Sequence, residues 1–156
     1  MKESWRSGLG FGVTSGIVTT AGLIVGLGSG THSTLAVLGG IVALAVSDGL
    51  SEAMGLHVAK KAENAPKRDA LESTLGLLAS KFFTTLTFAI PILLTNLKTA
   101  LVIDVVWGLL LLAALTAGLP DHGNRGVWRE VAEHEAIAIV VIAAAYATGL
   151  LVAGLA

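Results

Sequence analysis

The sequence predicts an all-α, polytopic membrane protein of five transmembrane helices, and three observations carry that prediction. The 156 residues are 54% hydrophobic, with a mean hydropathy of +0.80. Only 13% are charged, against roughly 25% in a soluble domain. The apolar residues form runs of about twenty, the length a helix needs to cross a bilayer, and short polar connections separate them. A single transmembrane domain over residues 1–156 follows.

The spans fall at about 8–30, 34–58, 73–95, 99–119 and 133–155. Alternating the connections between sides puts Lys2, Arg6, Lys60, Lys61, Lys67, Arg68, Arg125 and Arg129 on one side. Lys98 stands on the other, and Lys81 lies within a span. Basic residues mark the cytoplasmic side, so the N-terminus is expected inside and the C-terminus outside. Lys2 and Arg6 before an apolar run also outline a signal peptide, a reading set aside because the run is long enough to cross and more spans follow it. The absence of cysteine excludes disulfides and thiolate metal ligands. A net charge of −1 is uninformative by itself, and no nucleic-acid partner is expected.

The first span holds two rows of glycines four residues apart, Gly8, Gly12 and Gly16, then Gly22, Gly26 and Gly30. Such rows let helices approach closely in lipid, either within one chain or along a homodimer seam. Ser15, Thr19 and Thr20 line a helix contact or a polar path. In the second span Asp48 and Glu52 sit one turn apart on one helical face, with Gly55 leaving space beside them. An ionised carboxylate in lipid costs at least about 2.5–3.5 kcal/mol unless it meets protein, water or a cation. His57 points about half a turn away from Asp48 and reads as an interfacial histidine before a third member of that group.

After a short polar loop broken at Asn64-Ala65-Pro66, the third span carries Lys81 about 13 Å from its start. That depth matches Asp48 and Glu52, so Lys81 either pairs with a carboxylate or snorkels to the surface. Pro91 predicts a kink, with Thr84, Thr85 and Thr87 on hand for freed backbone groups. Asp104 in the fourth span either reaches the interface, near Lys98 or His32, or faces the interior as a second carboxylate on an ion path. Trp107 is expected to pack between helices. The turn Pro120–Gly126 holds no phosphate-cradling pattern. Beyond it Glu130, Glu133 and His134 share a face at i, i+3 and i+4, and Glu135 adjoins them. These are ligands that Fe2+, Mn2+ or Zn2+ accepts, although acidic residues also favour a helix N-terminus.

Phe11-Gly12-Val13-Thr14-Ser15-Gly16-Ile17-Val18-Thr19-Thr20-Ala21-Gly22 resembles the first-helix "DGIVTT" motif of the vacuolar iron transporter family. Ser47 to Lys61 resembles that family's second-helix "SMAxGEYxSxKxQ" stretch, and Phe88–Pro91 and Ile142–Gly149 with Tyr146 are similar to its third and fifth helices. The resemblance implies a five-helix homodimer, first helices near the dimer axis, that exchanges cytoplasmic Fe2+ or Mn2+ for protons. Glu52 stands at the family's second-helix glutamate. Ser15 replaces the first-helix aspartate and Asp48 the second-helix methionine, and the large cytoplasmic metal-binding domain of some members is missing.

The leading expectation is therefore a homodimeric exporter of divalent metal in a lipid bilayer, with no resident cofactor. Asp48 and Glu52 would bind metal and carry protons, Lys81 and Asp104 would lie on the path, and Glu130, Glu133, His134, Glu135 and His57 would collect metal at the cytoplasmic mouth. The alternatives are a non-transporting scaffold with a structural Asp48/Glu52/Lys81 network, or a proton-coupled exporter of organic cations, for which aromatics are few. No nucleophile and base pair or cofactor loop speaks for an enzyme.

Overall fold

The computed structural model describes residues 3–118 and 126–155. These residues form α1 (Glu3–Thr31), α2 (Thr34–Ala43), a π-helical turn (Leu44–Asp48), α3 (Gly49–Ala62), α4 (Lys67–Thr87), α5 (Ala89–Leu94), α6 (Leu97–Ala117) and α7 (Val127–Ala153), with no strand among them. α2, the π turn and α3 run on as one rod, and α4 and α5 as another. Five helical segments among the described residues are long and apolar enough to cross a membrane: Glu3–Thr31, Thr34–Ala62, Lys67–Leu94, Leu97–Ala117 and Val127–Ala153.

Several helices start well before the apolar runs do: α1 at Glu3 instead of about 8, α4 at Lys67 instead of about 73, α7 at Val127 instead of about 133. Hydropathy marks only the part of a helix with apolar side chains, whereas backbone hydrogen bonding continues through polar turns. Glu3, Asp69 and Glu130 sit in those first turns, where carboxylates favour the N-terminal dipole. Lys2, Arg125 and most of the Pro120–Gly126 turn lie outside the described residues.

Local chemistry fixes the remaining ends. The Ser33 hydroxyl accepts from the Ala36 amide at 3.2 Å to cap α2, and the Asn96 side chain accepts from the Thr99 amide at 3.1 Å to cap α6. His32 and Asn64 adopt the left-handed conformation, φ 51° and 57°, at the turns after α1 and α3. Pro91 cannot donate to the preceding turn, and the third span breaks between Thr87 and Ala89. There Thr87 donates to the Thr84 carbonyl at 2.7 Å and accepts from the Trp107 indole at 3.2 Å. Trp107 thus touches the break with its polar edge but keeps an exposed ring instead of packing between helices.

α1 is the central helix, lying against α4, α7, α6 and α2. Its two glycine rows are covered by the chain's own helices. Gly8 and Gly12 lie against the backbone of Ser73 and Leu77 in α4, and a Cβ on Gly16 would stand 3.3 Å from Thr84. On the other flank Gly22 and Gly26 face Val141 and Ala145 of α7, and Gly30 faces Gly149. The core of Ile17, Ile24, Val37, Ile41, Phe88 and Ile92 fills the space around α1. Large apolar side chains such as Met54, Phe83, Leu93, Leu110 and Val140 point outward, as on helices whose outer face meets lipid.

A Gly12→Val substitution is expected to lower stability by roughly 1–3 kcal/mol through overpacking against α4. Gly10→Ala, at a position with open space, should leave the melting temperature in detergent within error of wild type.

Candidate functional site

The second rod presents Asp48 and Glu52 to α1 and α4. Its π turn ends at Asp48, the Ser47 hydroxyl donates back to the Ala43 carbonyl, and Gly49 follows. Gly/Ser pairs and π turns are both places where helices bend, and π turns recur at functional sites. Gly49 is buried, and a Cβ there would meet Leu78 of α4 at 3.5 Å, so the rod comes close to α4 at this level.

Lys81 of α4 is fully buried, at 0% exposure. Its ammonium contacts Asp48 Oδ2, lies 2.8 Å from Glu52 Oε1 and donates to Ser15 Oγ at 2.9 Å. Ser15 in turn donates to Glu52 Oε1 at 2.7 Å. An ammonium has three donors and no acceptor; here it makes one hydrogen bond, to Ser15, and two ion pairs. Lys81 does not snorkel; it pairs with both carboxylates. The carboxylates are less enclosed, with 32% and 24% of the Asp48 and Glu52 side chains exposed. Two acids against one base leave the quartet with one surplus negative charge.

Ser15 reaches this site because the adjoining Gly16 packs against the Lys81 carbonyl and Thr84 without an intervening side chain. Ser15, expected to line a helix contact or a polar path, stands at a contact of α1 with α3 and α4, where its hydroxyl bridges Lys81 and Glu52. The signal was its place beside a glycine row at the depth of the carboxylates. One turn beyond Lys81, Thr20 of α1 donates to Thr85 of α4 at 3.2 Å, and both are buried.

Asp104 is fully buried, so of its two readings the interior one describes its position. It belongs to the buried row Ala100, Asp104, Gly108, Leu112 and Thr116 of α6, whose spacing of four makes one face. Leu101 packs at Gly28 and Gly108 against Ile17 and Phe88, which sets Asp104 at a level of α1 between Ile17 and Gly28. Neither of its oxygens has a hydrogen-bond partner among the described residues. Lys98 and His32, its anticipated partners, are exposed.

The remaining candidate ligands do not converge. His134 Nδ1 lies 3.3 Å from Thr116 Oγ1, Glu133 pairs with Arg129 at 3.2 Å, and Glu135 Oε1 is buried without a hydrogen-bond partner. His57 Nδ1 sits 3.4 Å from Thr74 Oγ1, away from Asp48 and Glu52. Among the described residues no three His, Asp or Glu side chains gather into a group able to hold a metal ion. The shared helical face of Glu130, Glu133 and His134 is insufficient, because Glu133 turns along its own helix to Arg129 while His134 turns to α6. No family model, curated protein or solved structure matches the chain.

Replacing Lys81 by Met should destabilise the protein by roughly 3 kcal/mol, the lower end of the 3–5 typical of a broken buried pair, because the carboxylates keep some exposure. Adding Asp48→Asn and Glu52→Gln to that variant is expected to restore most of the loss, as read by thermal melting in detergent.

Proposed function

We propose that the chain is a multi-pass membrane transporter that exchanges a divalent cation, Fe2+ or Mn2+, for protons at Asp48 and Glu52, with Lys81 as a tethered cation that occupies the site between cargo ions. The observation that supports this reading is the surplus charge of the quartet: two carboxylates, one ammonium and one hydroxyl. A fixed structural pair would be neutral. In a membrane an uncompensated carboxylate costs at least about 2.5–3.5 kcal/mol, and in this reading a proton or a cation at the open flank of Asp48 and Glu52 supplies the compensating charge.

Neutrality allows two forms. In one, the ammonium stays in place and a proton sits on a carboxylate. In the other, a dication takes both carboxylates and both protons have left, one of them from the lysine. Exchange of one dication for two protons is then electroneutral. Lysine suits this role because its ammonium is a compact point charge on a flexible stem.

Other features are consistent with this assignment. Glu52 stands at the glutamate of the resembled family's second-helix motif. The basic residues cluster at the end of the bundle where α1 and α4 begin and α3 ends, the asymmetry that marks a cytoplasmic end. Beyond the quartet, the Thr20–Thr85 pair and Asp104 continue the polar groups toward the opposite end. A homodimer would use outer apolar faces, since Gly12, Gly16, Gly22 and Gly26 are already covered within the chain.

The scaffold reading has one specific observation in its favour, the burial of the Lys81 ammonium against three partners of its own chain. Proteoliposomes separate the two. Uptake of Fe2+ or Mn2+ is expected to follow a pH gradient, to be insensitive to an imposed membrane potential, and to fall at least about tenfold in the Asp48→Asn, Glu52→Gln variant. Unchanged uptake in that variant excludes the exchange site. No uptake by wild type, together with a melting temperature indifferent to metal, establishes the scaffold.

Asp104→Asn is expected to keep the wild-type melting temperature and to slow uptake severalfold, since it removes the one titratable group of the α6 face. A variant that melts normally and transports at the wild-type rate takes Asp104 off the path.

A further inference from the structure

At the end of the bundle where α1 ends and α6 begins, a groove of about 380 Å³ opens between α1, α6 and α7. That is within the size range of small-ligand sites. Its lining is nearly all apolar, and its polarity is ordered along the helix axis. Lys98 and His32 stand at the helix ends, while Val102 and Val106 continue inward from Lys98 with Tyr146 and Leu150 opposite. From Lys98 to Val106 is eight residues, about 12 Å along the helix. The segments that form this end, 26–40, 89–103 and 143–155, contain no Asp or Glu, and Lys98 and His32 are their only basic side chains.

We propose that this groove binds an anionic phospholipid, its phosphate at Lys98 and His32 and one acyl chain along Val102 and Val106. Lys98 and His32 complement an anionic headgroup, whose phosphate takes charge-assisted hydrogen bonds, while the Asp104 carboxylate, between the lining residues Val102 and Val105, is turned to the buried face of α6 and is not in the groove's lining. The apolar channel runs from them in the direction a chain takes into the bilayer. A second groove, about 470 Å³ and lined by Trp5, Val46, Leu50 and Phe82 among others, is equally apolar but has no charged residue in its lining, so it offers nothing that distinguishes one headgroup from another. The proposal is independent of whether the carboxylate site transports.

The test uses the full chain in neutral detergent, with phosphatidylglycerol and phosphatidylcholine of matched chains, read by native mass spectrometry and thermal melting. Phosphatidylglycerol is expected to be retained at least about fivefold more than phosphatidylcholine and to raise the melting temperature more. Lys98→Glu, at an exposed position, should abolish that preference while the lipid-free melting temperature stays at its wild-type value. Val106→Trp, which fills an exposed part of the groove, should remove retention while Lys98 remains. Equal retention of the two lipids, or a preference that survives Lys98→Glu, overturns the proposal. So does an equal stabilisation by inorganic phosphate, which would assign the basic pair to a free anion. A dimer in lipid-free detergent that Val106→Trp dissociates would put a second copy in the groove and overturn it as well.

Discussion

The ammonium of Lys81 is the constraint on which the arrangement of α1, α3 and α4 depends. Because it is fully buried, it must find acceptors inside the protein, and each of its three comes from a different place: Asp48 at the end of the π turn, Glu52 in α3 and Ser15 in α1. A slip of one residue in any of these helices would turn an acceptor away by about 100° and leave charge unpaired. Buried ionic groups contribute little net stability compared with apolar replacements of similar volume. Here their physical effect is on register: apolar faces alone tolerate many alignments, and the quartet tolerates few.

The glycine rows make that convergence geometrically possible. Helices in lipid gain no hydrophobic drive from meeting one another, so close backbone contact and weak polar bonds hold them. Gly8, Gly12 and Gly16 bring α1 onto α4, while Gly22, Gly26 and Gly30 bring it onto α7. α1 is consumed on both flanks, and this chain buries its most glycine-rich helix within itself. The same closeness places Ser15 near enough to share Lys81 with the two carboxylates.

Asp104 and the quartet show how differently one residue type can be housed. Asp48 and Glu52 lie on a rod with one open flank and meet an ammonium. Asp104 sits on the buried face of α6, among Ala100, Gly108 and Leu112, with no hydrogen-bond partner among the described residues. Small residues on either side of it on that face leave room for the carboxyl group but supply nothing to bind it. The buried Thr20–Thr85 pair bridges α1 and α4 one turn beyond Lys81, so polar groups recur along the central helix in an otherwise apolar core.

By itself the sequence determined the class of fold and the number of long apolar helices, because both follow from run length and composition, which need no knowledge of neighbours. It also determined that Asp48 and Glu52 share a face and that Pro91 breaks its helix, since these are local consequences of backbone geometry. Helix ends were only partly legible: Lys67 to Glu72 and Val127 to Ala132 are too polar to register as apolar runs but remain helical. Which groups meet across helices was decided by tertiary structure alone. Lys81 had matching depth, yet depth could not choose between pairing and snorkelling. Asp104 had two readings until the packing of α6 against α1 turned its face inward. Glu130, Glu133 and His134 had the spacing of a ligand set, but spacing fixes only where side chains start; the helix beside them decided where they point.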